Sequence, residues 1–162
     1  MAWGPGVRGT IDFVHDTAHD IVIEHPRWKL DTPVEVMRWY QLQAGYFGGR
    51  FKERKDIVVV DDGFDVTPQV GTLWGQYRAR LHELYVRFFV RVGGGPRVRL
   101  ATNTSAVRYS ISAVEKPTLE EAIAFIMHAR EEAEKEKVGS GSRGRFSKTT
   151  HLSTAMPKAS ES

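Results

Sequence analysis

Two histidines four residues apart, His15 and His19, stand among Asp12, Asp16, Asp20, Glu24 and His25. Side chains at that spacing share one face of a helix and also face each other across a short hairpin turn. Either geometry could hold a divalent metal. Nothing in the sequence fixes a third ligand, so the segment reads as a polar turn with solvated histidines, and no metal or other cofactor is expected. A second acidic pair, Asp61-Asp62, follows the apolar run Ile57-Val58-Val59-Val60. Carboxylates at a strand end can bind Mg2+, but with Gly63 next the simpler reading is a turn. Cysteine is absent, which excludes disulfides, thiolate chemistry and Cys-based zinc sites. No convergent set of catalytic acids and bases emerges, and the chain is not expected to be an enzyme.

Arginine supplies the remaining candidate chemistry. Between Arg78 and Arg108 the chain holds Arg78, Arg80, Arg87, Arg91, Arg97, Arg99 and Arg108 against a single acid, Glu83. Were residues 85–92 a strand, Arg87, Arg91, Arg97, Arg99 and Arg108 would share the exposed face of a three-stranded sheet. Like charges set opposite one another are unfavourable, so a partner anion would be welcome there. RNA phosphate, an anionic lipid headgroup or an acidic protein subunit would all serve. The alternative is pairing with the acids of the chain itself. A second basic strip lies near the end: Arg143, Arg145, Phe146 and Lys148 could follow RNA or an acidic protein groove. These nine residues form the expected partner-binding set. No aromatic RNA-stacking motif accompanies them.

The charge is unevenly placed. From Gly139 onward, Arg143, Arg145, Lys148 and Lys158 stand against Glu161, which accounts for the whole formal net charge of +3. Residues 1–138 are formally neutral, so the basic pI of 9.3 belongs to the tail rather than to the body. That tail has only Phe146, Leu152 and Met156 as large apolar anchors. Ordering a residue costs about 1–2 kcal/mol of backbone entropy, so such a segment needs a neighbour to hold it. No run approaches the length and apolarity of a membrane-spanning helix. The first residues lack the apolar core of a secretory signal. They lack acids, as organelle-targeting segments do, but also lack the several Arg and Ser of such segments.

These residues must be positioned by a single domain, expected over 10–138, between an extended arm at 1–9 and a basic Gly/Ser-rich tail at 139–162. Residues 10–14 and 20–25 read as short strands. Asp31-Thr32-Pro33 opens a helix that Gly45, Gly48 and Gly49 should end near Ala44. Residues 56–60 read as a buried strand. Thr67-Pro68 opens a second helix with a regular stripe of Val70, Leu73, Trp74, Tyr77, Leu81, Leu84 and Phe88. The glycines at 93–95 predict that it runs to about 91, while the β-branched and aromatic run from Tyr85 favours a strand instead. We expect the long helix. Residues 97–103 and 106–114 read as a hairpin, and Pro117-Thr118 opens a last helix to about Lys137. The fold class is therefore α+β, with three main helices on a small, mostly antiparallel sheet.

Three local resemblances follow. The string DIVVVDDG resembles the first strand of response-regulator receiver domains, and EKPTLEEAIAFI their last strand and helix, but the segment between is too short for that fold. Element order over 33–114 resembles the NTF2-like cone fold. That resemblance implies a closed apolar pocket lined by Tyr40, Trp74 and Tyr77 with a buried carboxylate, and site candidates Asp61, Tyr40, Tyr77 and His82. The string ELYVRFF resembles the LYR-type accessory subunits, yet Val86 stands where the motif needs arginine, and the function is not carried over.

The expected function is a non-catalytic accessory or structural subunit of a large multi-subunit assembly, anchored by its terminal arms. An organellar respiratory-type complex is the favoured setting, with a mitochondrial or other organellar location. A small cone-fold enzyme or ligand-binding protein, and an RNA-binding ribosomal or ribonucleoprotein component, are the alternatives.

Overall fold

The computed structural model describes residues 9–139. The expected arm at 1–9, apart from Gly9, and the tail residues Arg143, Arg145, Phe146 and Lys148 lie outside the described residues. Along the chain come β1 (Thr10–Asp16), β2 (Ile21–Leu30), α1 (Pro33–Arg50), β3 (Lys55–Val60), β4 (Gly63–Val66), a 3-10 turn (Pro68–Val70), α2 (Gly71–Tyr85), β5 (Val86–Val92), α3 (Pro96–Tyr109) and β6 (Val114–Lys116). A fourth helix, α4, covers residues 119–139. The α+β class holds, with four helices and a mixed six-stranded sheet among the described residues.

Two finer expectations are corrected. The sheet is not mostly antiparallel: among the described residues only β1 and β2 pair that way, while β2–β3, β2–β4, β3–β5 and β5–β6 are parallel. The strands run in the order β1-β2-β3-β5-β6, with β4 extending the pairing of β2 beyond β3. Parallel neighbours need crossovers, and α1, α2 and α3 supply them. The hairpin expected over 97–114 is instead α3 followed by β6.

Register sorts the core into faces. On one, Ile23, Val58 and Val90 align across β2, β3 and β5, and Ala122 and Ile126 of α4 close over them. On the other, Val22, Ile57 and Phe89 align beneath Phe47 of α1. Farther along that face Trp28, Leu30, Phe64 and Val66 meet Trp39, Trp74, Leu81 and Val98. The first compact unit ends at Ile126 and a second begins at Met127. The described part of that second unit is solvated helix, with ion pairs His128–Glu132, Lys135–Glu132 and Lys137–Glu134.

The start of α1 is as expected: the Thr32 hydroxyl accepts from the Glu35 amide and the Glu35 carboxylate accepts from the Thr32 amide, a reciprocal capping box. Its end is not. The helix passes Gly45, Gly48 and Gly49 to Arg50, because Phe47 is buried among Phe13, Tyr46, Phe51 and Tyr85. Burying that ring together with its four aromatic contacts offsets the roughly 1 kcal/mol that each of the three glycines costs. Gly48 also lets Tyr85 approach: a Cβ there would lie 3.3 Å from the Tyr85 hydroxyl.

The long helix expected to about 91 is corrected as well. Helix α2 stops at Tyr85 and the chain continues as β5 without a break residue. The stop is tertiary. Asp56 of β3, fully buried, accepts two hydrogen bonds from the Arg87 guanidinium (2.9 and 2.6 Å) and one from the Phe88 amide (3.1 Å). That three-donor anchorage sits at a register shift in the β3–β5 ladder, so Arg87 and Phe88 bulge around one carboxylate.

Candidate functional site

The five described arginines of the expected partner-binding set do not share a sheet face. Arg87 lies in the bulge and is held by Asp56, whose hydrogen bonding raises its pKa further. Arg91 points inward from β5 and is 1% exposed. Its Nη2 donates to Glu115 Oε1 (2.9 Å), Nη1 donates to the Gly93 carbonyl, and Nε lies 3.9 Å from Asp61 Oδ2. Arg97, Arg99 and Arg108 project from α3. Arg97 pairs with Asp65, and Arg99 donates to Glu115 Oε2 at 2.9 Å. Those contacts hold the Glu115 carboxyl below its ordinary pKa, Arg99 chiefly. Arg108 is exposed and has no ion-pair partner among the described residues. So Arg91 is a core residue, and pairing within the chain accounts for Arg87, Arg97 and Arg99.

Helix α3 nonetheless carries a surface feature. It has three arginines and no acid, and two of them, Arg97 and Arg99, sit in its first turn, where the helix dipole already disfavours positive charge. Its outer face exposes Leu100 (67%) and Val107 (84%). Beside that face runs a groove of about 210 Å3 between α3 and the start of α2. Val66, Pro68, Leu100 and Tyr109 give it an apolar floor; Arg97 and Arg108 are its charged members, and no Asp or Glu lines it. The two helices pack close because Gly75 faces Ser105, where an added Cβ would meet the Ser105 Cβ at 3.1 Å.

A second cluster lies under α1 and α2. Register sets Glu24, Val59, Arg91 and Glu115 in one row across β2, β3, β5 and β6. Asp61 follows β3 on the same side, its amide donating to the Val92 carbonyl at 2.8 Å. Glu24 Oε1 accepts from Gln43 Nε2 of α1 at 2.7 Å. Arg78 of α2 donates to Ser105 Oγ (2.9 Å) and to the Ser112 carbonyl. Burial pushes Glu24 up to about 7 and Asp61 up to about 8, and pulls Arg78 down to about 9. His82, packed on Phe89, is held at about 3 by burial and by Arg78. The cavity these groups border measures about 50 Å3, room for a few water molecules rather than an organic substrate.

Comparison of the chain with protein-family models, curated proteins and solved structures finds no match in any of the three.

Of the residues the cone-fold resemblance singled out, Asp61, His82 and Trp74 do border this cavity; Tyr40 and Tyr77 do not, and lie against each other with ring centroids 4.8 Å apart. The curved strands that resemblance needs after β5 are replaced by α3. The histidine pair forms two separate contacts: His15 Nε2 lies 2.8 Å from Asp20 Oδ1, and His19 Nδ1 lies 2.8 Å from Asp16 Oδ2. These contacts hold both aspartates below their ordinary pKa. The turn expected at Asp61-Asp62 is present, with the Phe64 amide donating to the Asp61 carbonyl at 3.2 Å, but the Asp61 side chain is buried at 3% exposure. Sequence reading set Glu24 with the histidines and Arg78 with the arginines rather than in this cluster, and did not single out Gln43. A signal existed for two of them: Glu24 falls in phase with Val22 in an apolar strand, and Arg78 falls on the stripe of Trp74 and Leu81.

Proposed function

We propose that the chain is a non-catalytic accessory subunit that docks a protein partner along α3. The observation that carries this reading is the outer face of α3, where exposed Leu100 and Val107 lie beside Arg108, which has no ion-pair partner among the described residues, with no acid lining the adjoining groove. An apolar anchor beside an uncommitted arginine suits a partner segment with a hydrophobic side chain next to an Asp or Glu. RNA or a lipid headgroup would use the charges but leave the apolar contacts unfilled, so a protein partner is favoured. The smallness of the interior cavity supports a binding role over a catalytic one. Among the described residues no helix is long and apolar enough to cross a membrane. The wider expectation, a respiratory-type organellar assembly gripped by the tail, belongs to the same proposal.

The test is the size of the native assembly in extracts of the source cell, with the chain tagged. Wild type should travel in a large complex. Leu100→Asp with Val107→Asp should shift most of it to the free chain, with an unaltered circular dichroism spectrum. A wild-type chain travelling alone, or a folded double variant that stays in the complex, contradicts the reading.

A further inference from the structure

The cavity beneath α1 and α2 is bordered by two carboxyl groups from adjacent strands, Glu24 at 2% and Asp61 at 3% exposure. Neither accepts a hydrogen bond from a cation. The side-chain partner of Glu24 is the neutral Gln43 amide of α1. The nearest cationic nitrogen to Asp61, Arg91 Nε of β5, is 3.9 Å away, beyond hydrogen-bond distance, and among the described residues neither Asp61 Oδ1 nor Arg91 Nε has a hydrogen-bond partner. The other charged and titratable groups facing the pair are committed or constant. From β5, the two terminal nitrogens of Arg91 are held by Glu115 of β6 and the Gly93 carbonyl, leaving Nε to face Asp61 without a hydrogen bond. From α2, Arg78 is turned onto Ser105 and Ser112, and His82 stays neutral across the accessible pH range. Asp62, next in the chain, adds repulsion, and α3 contributes only the Thr102 hydroxyl, which donates to its own helix. An isolated carboxylate in such a setting is costly, and the group takes up a proton instead.

We propose that Glu24 and Asp61 together form a proton-binding site inside the fold, which closes the helical layer over two neutral acids and loosens it when they ionise. The site is independent of the groove along α3. Its sign follows from linkage. Both folded pKa values, about 7 and about 8, lie above the ordinary 4.5 and 3.8. The stability these acids contribute is therefore complete below about pH 4 and is lost as pH rises through 7 and 8. Acid therefore tightens this domain between about pH 8 and 4, a range in which carboxylates of ordinary or lowered pKa leave stability nearly unchanged.

The experiment is urea unfolding of the full chain from pH 4.5 to 9, for wild type, Glu24→Gln, Asp61→Asn and the double variant. For each proton held by the native but not the unfolded state, the unfolding constant rises about tenfold per pH unit. His82, neutral in the fold but protonated in the unfolded chain below its ordinary 6.5, offsets one of the two acids from about pH 5 to 6.5. Wild type should show that rise between about pH 5 and 7, and each substitution should move the slope by one proton the other way, so that the double variant gains stability from about pH 5 to 6.5. A wild-type stability that is flat or increases over this range overturns the proposal, as do variants with the wild-type slope. If the variants do not fold, infrared spectroscopy of the wild type decides. A carboxylic-acid carbonyl band from the folded chain at pH 6 that disappears by pH 9 is the expected result, and its absence at pH 6 overturns the proposal.

Discussion

Arg91→Ala is expected to cost about 2–4 kcal/mol of folding free energy, because it empties the site of a fully buried side chain and leaves the Gly93 carbonyl without its donor. The side chain bridges three things at once: Glu115 on β6, the Gly93 carbonyl, and the neighbourhood of Asp61. Its loss leaves the row of Glu24, Val59 and Glu115 with no cation inside the sheet. It also frees the loop at Gly94, whose backbone (φ +103°) lies so near Arg91 that an added Cβ would sit 3.0 Å from Nη1. Arg91→Lys should recover only part of the loss, because one ammonium cannot reach carboxylate and carbonyl in the same plane. Chemical denaturation checks both, and Arg99→Ala is the control. Arg99 is half exposed and shares Glu115 from the surface, so its removal should cost no more than about 1 kcal/mol.

Trp39→Ala is expected to cost a similar amount, about 3–5 kcal/mol, through lost aromatic packing. Trp39 is 5% exposed and joins α1 to β4 and α2, with ring centroids 6.5 Å from Phe64 and 5.7 Å from Trp74. Truncation opens a void that three separate elements would have to move together to fill. In a domain of this size the melting temperature should fall by about 10–20 °C. Met37, two residues earlier on the same helix, is 44% exposed, and Met37→Ala should stay within about 0.5 kcal/mol. Equal effects at the two positions would mean that α1 does not rest on the sheet through Trp39.

How far the sequence spoke depends on whether the deciding force was local. The start of α1 was legible because Thr32, Pro33 and Glu35 carry the whole capping geometry within four residues. The buried run of β3 and the last helix were legible from composition and period. The end of α2 was not, since no residue between Gly75 and Gly93 breaks a helix. The switch to β5 is imposed by Asp56, some thirty residues earlier, which fixes Arg87 and Phe88. Helix α3 was misread because its buried stripe is Val98, Thr102 and Ser105. Small hydroxylated side chains look like strand or turn, yet here Thr102 and Ser105 satisfy carbonyls of their own helix. Taking 97–114 for a hairpin then made the sheet antiparallel on paper. Of the site, the arginines of α3 could be named from composition alone. That Arg91 faces inward, and that Glu24 and Asp61 share a cavity, depends on parallel register that no local pattern encodes.

The docking claim for α3 is tested most directly by photo-crosslinking in the native cell from a benzophenone side chain placed at Val107, with Val34 at the start of α1 as reference. Both positions are exposed, at 84% and 52%. The account predicts one dominant crosslinked protein from Val107, joined through a segment that carries Asp or Glu, and none of it from Val34. No crosslink from Val107, or the same products from both positions, would contradict it.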